Sequence, residues 1–402
     1  SAGKKGGEFY TPSEVVNLLV RLISPKPGMR VYDPTCGSGG MLIQSRDYLI
    51  DNGENPRNIS LFGQEMNQGT WAICKMNMFL HSVFNADIKK GDTIREPKHL
   101  SGGELMTFDR VIANPPFSLS KWGKQEADND TYNRFMYGTP PKDTGDLAFV
   151  QHMISSLNSE GKMVVVVPHG VLFRGSTERE IRKGIIEDDL LEAVIGLAPS
   201  LFYGTGIPTS LLIINKKKRP QAKKNILFIN AELKFTQGKN QNKLLKKDIE
   251  HIVNNYENFK DEKRFSRNVS LDEIKKNDYS IYIKRYVYTA PPPEPLDYNG
   301  IVNGGIPINE IEDEFIKEKI KGIKIDDIFN KKNNNYFEFK SEIKSKEQII
   351  NFLSSDNPEA LKQFESWWDK YNTSLKEIDS NVKKYEEEMW KNLETIDFNE
   401  KI

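Results

Sequence analysis

The sequence predicts an α/β fold: a mainly parallel, doubly wound sheet followed by a helical C-terminal extension. Three observations carry this. Short apolar runs of strand length alternate with stretches of helical periodicity from residue 13 to residue 215. A glycine turn (Gly37, Gly39 and Gly40) follows directly on the first apolar run. Pro291, Pro292, Pro293 and Pro295 then stop both helix and sheet. The boundary falls at these prolines, giving a domain of residues 1–290 and a Lys-, Glu- and Asn-rich region of residues 291–402.

The elements read in order as follows. Residues 1–7 form a flexible lead-in. Thr11, Pro12, Ser13 and Glu14 start a helix that carries Val15, Val16, Leu18, Leu19 and Leu22. Residues 29–32 form a strand entering the glycine turn, and residues 41–49 the helix beyond it. Residues 61–64 form a strand ending at Glu65. Residues 70–81 form a helix with Trp71, Ile73, Cys74, Met78 and Phe79 partly on one side. Residues 110–113 form a strand ending in Asn114, Pro115, Pro116 and Phe117. A helix over 147–157, a strand over 163–168 and a helix over 178–186 follow, then late strands over 191–197 and 210–215. The basic stretch 216–224 reads as an exposed turn between strands, with phosphate contact as a second reading. Beyond the prolines, Leu375, Ile378, Val382, Tyr385 and Met389 recur at three- and four-residue steps, a short coiled-coil-like stripe. It suits either packing on its own domain or a partner helix.

Composition narrows the class. With 402 residues, 37% hydrophobic and 28% charged, the chain resembles ordinary globular proteins. Its longest apolar runs, 163–167 and 211–214, are too short to span a bilayer, and no signal-peptide pattern opens the chain. A cytoplasmic protein without membrane attachment is expected. Two cysteines, Cys36 and Cys74, argue against a disulfide scaffold or a structural zinc site. The five histidines lack ligand spacing, so no metal is expected.

In doubly wound sheets, ligands bind beyond the carboxyl ends of strands. Glycines 37, 39 and 40 allow positive φ and close approach of backbone to a ligand. The helix start behind them offers free N–H groups to a carboxylate. Glu65 ends the next strand, where a carboxylate commonly bonds ribose hydroxyls. The turn lacks GxGxxG spacing, which disfavours a dinucleotide enzyme. At Asn114-Pro115-Pro116-Phe117, the asparagine side chain and the proline carbonyls supply acceptors without competing N–H donors. Such acceptors can hold the hydrogens of an exocyclic amine and turn its lone pair toward an incoming methyl group. Phe117 supplies a stacking face for a flat base.

Taken together, six segments resemble a known family: Gly7-Glu8-Phe9-Tyr10-Thr11-Pro12; Asp33-Pro34-Thr35-Cys36-Gly37-Ser38-Gly39-Gly40; Gly63-Gln64-Glu65; Gly91-Asp92-Thr93; Asn114 to Phe117; and Leu201-Phe202-Tyr203-Gly204-Thr205-Gly206-Ile207-Pro208-Thr209. A later echo lies at Asn277-Asp278-Tyr279 and Arg285-Tyr286-Val287. The chain resembles amino-group DNA methyltransferases that use S-adenosyl-L-methionine (AdoMet), and more narrowly the modification (M) subunit of type I restriction-modification systems, which makes N6-methyladenine. The resemblance covers residues 1–290. It implies a Rossmann-like domain, preceded in the family by a helical segment, so the chain reads as beginning after that segment.

The resemblance also implies roles. Glu8, Phe9, Tyr10, Thr11, Pro12 and Ser13 would close over the methionine part of AdoMet. Phe9 and Tyr10 could cover its sulfonium or staple the helix that follows. Asp33, Pro34, Thr35, Gly37, Ser38, Gly39 and Gly40 would form the cofactor loop, with Glu65 on the ribose and Asp92 on the adenine amino group. Asp92 also suits an N-cap or Asx turn. Asn114, Pro115, Pro116 and Phe117 would be catalytic, acting on an adenine flipped out of double-stranded DNA. Phe202 and Tyr203 would either wall the base pocket or belong to a structural loop. The implied partners are a specificity (S) subunit, a second M subunit and a nuclease (R) subunit, with residues 291–402 making partner contacts. Lys+Arg and Asp+Glu both number 57, so net charge is zero. A chain that grips DNA alone usually shows a basic excess, and neutrality fits one that borrows its grip. The competing readings are a protein-glutamine or RNA methyltransferase, a non-catalytic AdoMet-binding scaffold, and an enzyme with built-in DNA specificity.

Overall fold

A computed structural model describes residues 11–289, except 203–205, 207, 239 and 240, together with 297, 303–313, 317, 325–345 and 348. The chain divides into two compact units, Ser1–Pro292 and Pro293–Ile402.

The first unit is built on a nine-stranded sheet. Its strands are β1 (Arg30–Asp33), β2 (Ser60–Glu65), β3 (Asp87–Lys90), β6 (Phe108–Ala113), β7 (Leu157–Pro168), β8 (Leu191–Gly196), β9 (Thr209–Asn215), β10 (Asn225–Asn230) and β11 (Ser266–Ser270). A small hairpin, β4 (Leu100–Ser101) with β5 (Glu104–Leu105), stands apart. The spatial order is β11-β10-β8-β9-β7-β6-β1-β2-β3. Pairing is parallel from β3 through β7 and between β8 and β10, whereas β9 and β11 run antiparallel to their neighbours. The chain starts centrally at β1, winds outward through β2 and β3, then returns to the other side of β1 as β6. That reversal opens a crevice at the carboxyl ends of β1 and β6.

Helices cover both faces. The central parallel strands are apolar on both sides because both sides are buried, whereas β3 at the edge buries only Ile88. On β6 and β7, Ile112, Val164 and Val166 face one core with α1 (Ser13–Ile23), α2 (Gly40–Asp51) and α7 (Lys246–Asn258). Val111, Ala113, Val165 and Val167 face the other core with α5 (Asp146–Ser155) and α6 (Ser176–Glu187). This period of two is the pleat made visible. α1 buries Val15, Val16, Leu18, Leu19 and Leu22 as its spacing predicts, and ends at Ser24 in the left-handed region, φ 46°.

One expectation is refined and two are corrected. The helix read over 70–81, observed as α3 (Gln68–Leu80), begins two residues earlier; its apolar residues lie only partly on one side, as expected, with Trp71, Cys74 and Met78 against the core and Ile73 and Phe79 exposed. The basic stretch 216–224 is not simply a solvated turn. Lys218 is buried, with Nζ 2.6 Å from Asp189, and Lys216 Nζ donates to the Leu157 carbonyl at 2.7 Å. Arg219 donates to the Tyr256 carbonyl at 3.0 Å, just as Lys162 and Arg110 donate to the Leu22 and Ile23 carbonyls. These cations meet the negative ends of α7 and α1 below the sheet, where unpaired carbonyls attract positive charge. Third, the second unit is not purely helical: Ile306–Pro307, Phe329–Lys331 and Tyr336–Phe339 pair into an antiparallel three-stranded sheet, with short helices Ile308–Glu312 and Ile325–Ile328. The stripe from Leu375 to Met389 lies outside the described residues.

Candidate active site

The loop after β1 is tied down by its own backbone. The Cys36 N–H donates to the Gln64 carbonyl at 3.0 Å, and the Gly37 N–H to Glu65 Oε2 at 3.0 Å. The other oxygen of Glu65 accepts the Asn67 N–H at 2.7 Å. Asn77 on α3 donates to the Ser38 carbonyl at 3.0 Å. Gly39 is the N-cap of α2 at φ 85°, and a Cβ there would lie 2.5 Å from Met78 Cε and 2.8 Å from Cys74 Sγ. Glycine is therefore required at Gly39 for conformation and for space. Cys36 is buried against Cys74, which makes it a packing residue.

Asp33 is 2% exposed and accepts the Thr35 N–H at 3.0 Å. Burial pushes its carboxyl up from 3.8 to about 8; the Thr35 hydrogen bond opposes that shift and the nearby Glu65 adds to it. Asp92 does serve as a turn residue: Oδ1 accepts the N–H groups of Ile94 and Arg95 at 2.9 and 3.0 Å, and Oδ2 pairs with Arg95 at 2.7 Å.

Two cavities flank this loop. One, about 280 Å³, lies at the start of α2 and is lined by Thr11, Ser13, Asp33, Thr35, Gly37, Ser38, Gly40 and Asn114, with Gln44, Asp47, Asn77 and His81. The other, about 150 Å³, is lined by Pro34, Thr35, Glu65, Asp92, Thr93, Asn114 and Pro116, with the flat or apolar Met66, Leu119, Trp122 and Phe149. Thr35 and Asn114 belong to both walls. Each presents a buried oxygen, Thr35 Oγ1 and Asn114 Oδ1, that has no hydrogen-bond partner among the described residues.

Asn114 sits where β6 ends. Its Nδ2 donates to Thr11 Oγ1 at 3.0 Å, which leaves Oδ1 as the free end. Pro115 is buried and Pro116 lines the smaller cavity. Phe117 meets Phe202 edge to face, centroids 6.1 Å apart at 76°. The Ser118 N–H donates to Asp146 Oδ1 at 2.7 Å, and Arg174 Nη1 holds the other oxygen of Asp146 at 3.1 Å. Burial raises the Asp146 carboxyl, while the Ser118 and Arg174 contacts oppose the shift. These contacts fix the outgoing end of the Asn-Pro-Pro-Phe turn.

Of the described residues the sequence pointed to, Thr11, Ser13, Asp33, Pro34, Thr35, Gly37, Ser38, Gly40, Glu65, Asp92, Asn114 and Pro116 line these two cavities, whereas Pro12, Gly39, Pro115 and Phe117 line neither. Pro12 caps α1 and Gly39 acts by packing; Glu8, Phe9, Tyr10 and Tyr203 lie outside the described residues. Sequence reasoning missed Gln44, Asp47, Asn77, Trp122, Asp146 and Phe149. Asn77 and Asp47 were accessible in principle, as polar positions on the helices that flank the glycine turn. Among the described residues, no cluster of His, Cys, Asp or Glu could hold a metal, and no helix is long and apolar enough to cross a membrane.

The fold with its loops at the switch point is that of AdoMet-dependent methyltransferases. A putative class I member from Listeria monocytogenes, 19% identical, superposes over 64% of this chain and 74% of its own with a TM-score of 0.50. The chain belongs to the N-6 DNA methylase family, whose profile matches residues 1–294. It is 40% identical over 329 residues to the type I restriction enzyme MjaVII methylase subunit of Methanocaldococcus jannaschii, covering 79% of this chain and 55% of that one. The MpnII methylase subunit of Mycoplasma pneumoniae is 35% identical, over 81% of this chain and 62% of its own. Among solved structures, the type I restriction-modification methyltransferase subunit of Streptococcus thermophilus is 37% identical, with a TM-score of 0.65 over 71% of this chain and 60% of that one. The chain thus spans little more than half the length of these relatives.

Proposed function

We propose that this chain is the catalytic part of a type I modification subunit that transfers a methyl group from AdoMet to adenine N6 in DNA. The observation that carries this is Asn114 Oδ1, a buried acceptor with no partner among the described residues, on the wall shared by two cavities. The cavities suit the two halves of AdoMet. The polar one, at the free N–H groups of α2, suits an amino-acid head, with Asp33 for its ammonium and the helix start for its carboxylate. The smaller suits a nucleoside, with Glu65 and Asp92 at its rim and Met66, Trp122 and Phe149 around a flat ring. Glu65 and Asp92 are largely engaged by backbone N–H groups, so each would contact the ligand through its remaining lone pairs.

When bound, AdoMet supplies a methyl group already activated by a sulfonium. The protein's work is then placement. Asn114 Oδ1 and the Pro115 carbonyl accept the two N6 hydrogens, which directs the amine lone pair at the methyl carbon. N6 would take the methyl group from AdoMet held in the two cavities, the sulfur keeping the S–C bonding pair, and would then release one proton to solvent. As N6 becomes positive, the two acceptors bind its hydrogens more strongly, so they stabilise the transition state more than the ground state. Phe117 stacks on the flipped base, and Phe202, buried in the core, backs the Phe117 ring edge to face. Double-stranded DNA, an S subunit, a second M subunit and an R subunit are the partners this reading entails.

The test is nucleoside mass spectrometry on DNA from a methylation-free host expressing the full-length gene with its neighbouring specificity gene, beside an Asn114→Ala control. N6-methyladenine that depends on Asn114 supports the reading. Its absence, with both proteins soluble and AdoMet bound, overturns it in favour of another amino substrate or a non-catalytic scaffold.

A further inference from the structure

Further aromatic rings stand at the same sheet edge as Phe117, beyond the buried Phe202 that backs it. β6 and β7 run parallel with Ala113 opposite Val165; the Asn-Pro-Pro-Phe turn follows the end of β6 and His169 follows the end of β7, so both leave the same sheet edge from neighbouring strands. The loop that brings Phe202 to Phe117 returns through Pro208, whose carbonyl accepts the His169 N–H at 3.4 Å. Tyr282 then meets the His169 ring edge to face, centroids 6.3 Å apart at 80°, and Phe173 meets Tyr282 likewise, at 5.5 Å and 78°.

Tyr282 is held there by the segment between the Asn277-Asp278-Tyr279 and Arg285-Tyr286-Val287 echoes, to which the methyl-transfer scheme gives no role. Ile281 and Ile283 on either side of Tyr282 are buried, and the Ile281 N–H donates to the Leu172 carbonyl at 2.9 Å. Phe173 ends the row at 52% exposure, a large apolar ring with a free face beside the catalytic edge. His169 Nε2 is buried and has no hydrogen-bond partner among the described residues.

We propose that His169, Tyr282 and Phe173 form a second stacking subsite that takes the nucleobase immediately flanking the flipped adenine on the same strand. This rests on the DNA-adenine reading above. A nucleobase matches the site chemically, since it has π-faces for the rings and edge donors and acceptors for His169 Nε2, whereas an aliphatic side chain would leave that nitrogen unused. Flipping one base also removes a stacking neighbour from the next, and an aromatic ring on the protein replaces it. The row follows β7, the strand paired with β6, and the His169–Pro208 hydrogen bond ties it to the segment after Phe202, so a strand whose adenine enters the pocket at the end of β6 carries its next base toward these rings.

The test uses the full-length chain assembled with its specificity partner. Methyl transfer is measured for Phe173→Ala, Tyr282→Ala and Tyr282→Phe on a duplex containing the recognition site. We expect the alanine variants to raise KM for the duplex roughly tenfold, the low end of the loss of one base–aromatic stack, with AdoMet affinity unchanged and Tyr282→Phe close to wild type. With 5-iodouracil placed at successive positions around the target adenine, crosslinking to a peptide containing Phe173 or Tyr282 is expected only from the flanking nucleotide. An unchanged duplex KM in both alanine variants, or crosslinks confined to other peptides, overturns the subsite. So does loss of assembly with the specificity partner in Phe173→Ala, which would make the ring a protein contact. Should the wild-type complex methylate no DNA at all, the functional reading fails instead, and the two failures are distinguished by that control.

Discussion

Asn114→Ala is the perturbation that separates chemistry from cofactor binding. The substitution removes Oδ1, a buried acceptor with no partner among the described residues, and the Nδ2–Thr11 hydrogen bond of 3.0 Å. The Thr11 contact is a single half-buried hydrogen bond, so stability should fall by only about 1 kcal/mol. On the proposed scheme, the loss of Oδ1 is felt mainly when N6 turns positive. Removing one preorganised group aimed at developing charge costs about 10²–10³ in kcat, or roughly 3–4 kcal/mol. The backbone contacts that shape the cofactor loop run through Gln64, Glu65 and Asn77 and leave Asn114 out. AdoMet affinity, read by titration calorimetry, should therefore persist while single-turnover methyl transfer collapses. Retained turnover within tenfold of wild type would refute the role of Oδ1. Lost AdoMet binding in a folded variant would refute the division of labour between the two loops.

Three further outcomes follow from the geometry. Glu65→Ala strips acceptors from the Gly37 and Asn67 N–H groups, at about 1–3 kcal/mol each if left unsatisfied, so AdoMet affinity should fall at least tenfold in calorimetry; unchanged affinity would show that the loop holds its shape without Glu65. Gly39→Ala forces a Cβ to 2.5 Å from Met78 Cε at φ 85°, whereas a Cβ on Gly40 meets nothing within 4 Å. The first should cost about 2–4 kcal/mol from strain and overpacking and the second almost nothing, a contrast read directly in thermal melts. Asp33, raised from 3.8 to about 8, holds its proton in the folded chain over a window where the unfolded chain has lost it. The folded state binds more protons there, so this contribution to stability is full below pH 3.8 and is lost as pH rises toward 8. Asp33→Asn should flatten the pH dependence of the melting temperature across that window. A wild-type slope that survives the substitution would place its origin elsewhere.

What the sequence made legible follows from where the information is local. Buried parallel strands must be apolar on both faces, so β1, β6 and β7 stand out as runs, and each of the two central ones ends in residues that can only be a turn: Gly37 to Gly40, and Pro115 with Pro116. β3 was hidden because, as Asp-Ile-Lys-Lys at the sheet edge, it buries only Ile88. The second cavity's flat wall was hidden for another reason. Met66, Trp122 and Phe149 come from three separate elements, and no spacing links them. The basic stretch misled because charge was read as exposure. Lys218 and Arg219 instead run inward along apolar surface to meet Asp189 and the carbonyl end of α7, which long basic side chains can do while keeping the charged head paired.

The polar residues of the crevice fall into two groups, and the structure separates them where sequence could not. Glu65, Asp92 and Asp146 spend most of their acceptor capacity on N–H groups of neighbouring turns: Gly37 and Asn67, Ile94 and Arg95, and Ser118. They hold the two loops in register across the switch point. Asn114 and Thr35 retain buried oxygens with no partner among the described residues, on the wall that both cavities share. An unpaired buried acceptor carries a desolvation cost that a bound hydrogen-bond donor relieves. Substitutions in the first group should therefore weaken binding by loosening a turn, and a conservative change that keeps one acceptor, such as Glu65→Gln, should recover part of it. On the proposed scheme, substitution at Asn114 offers no such recovery, because what it removes is the acceptor assigned to the reacting amine.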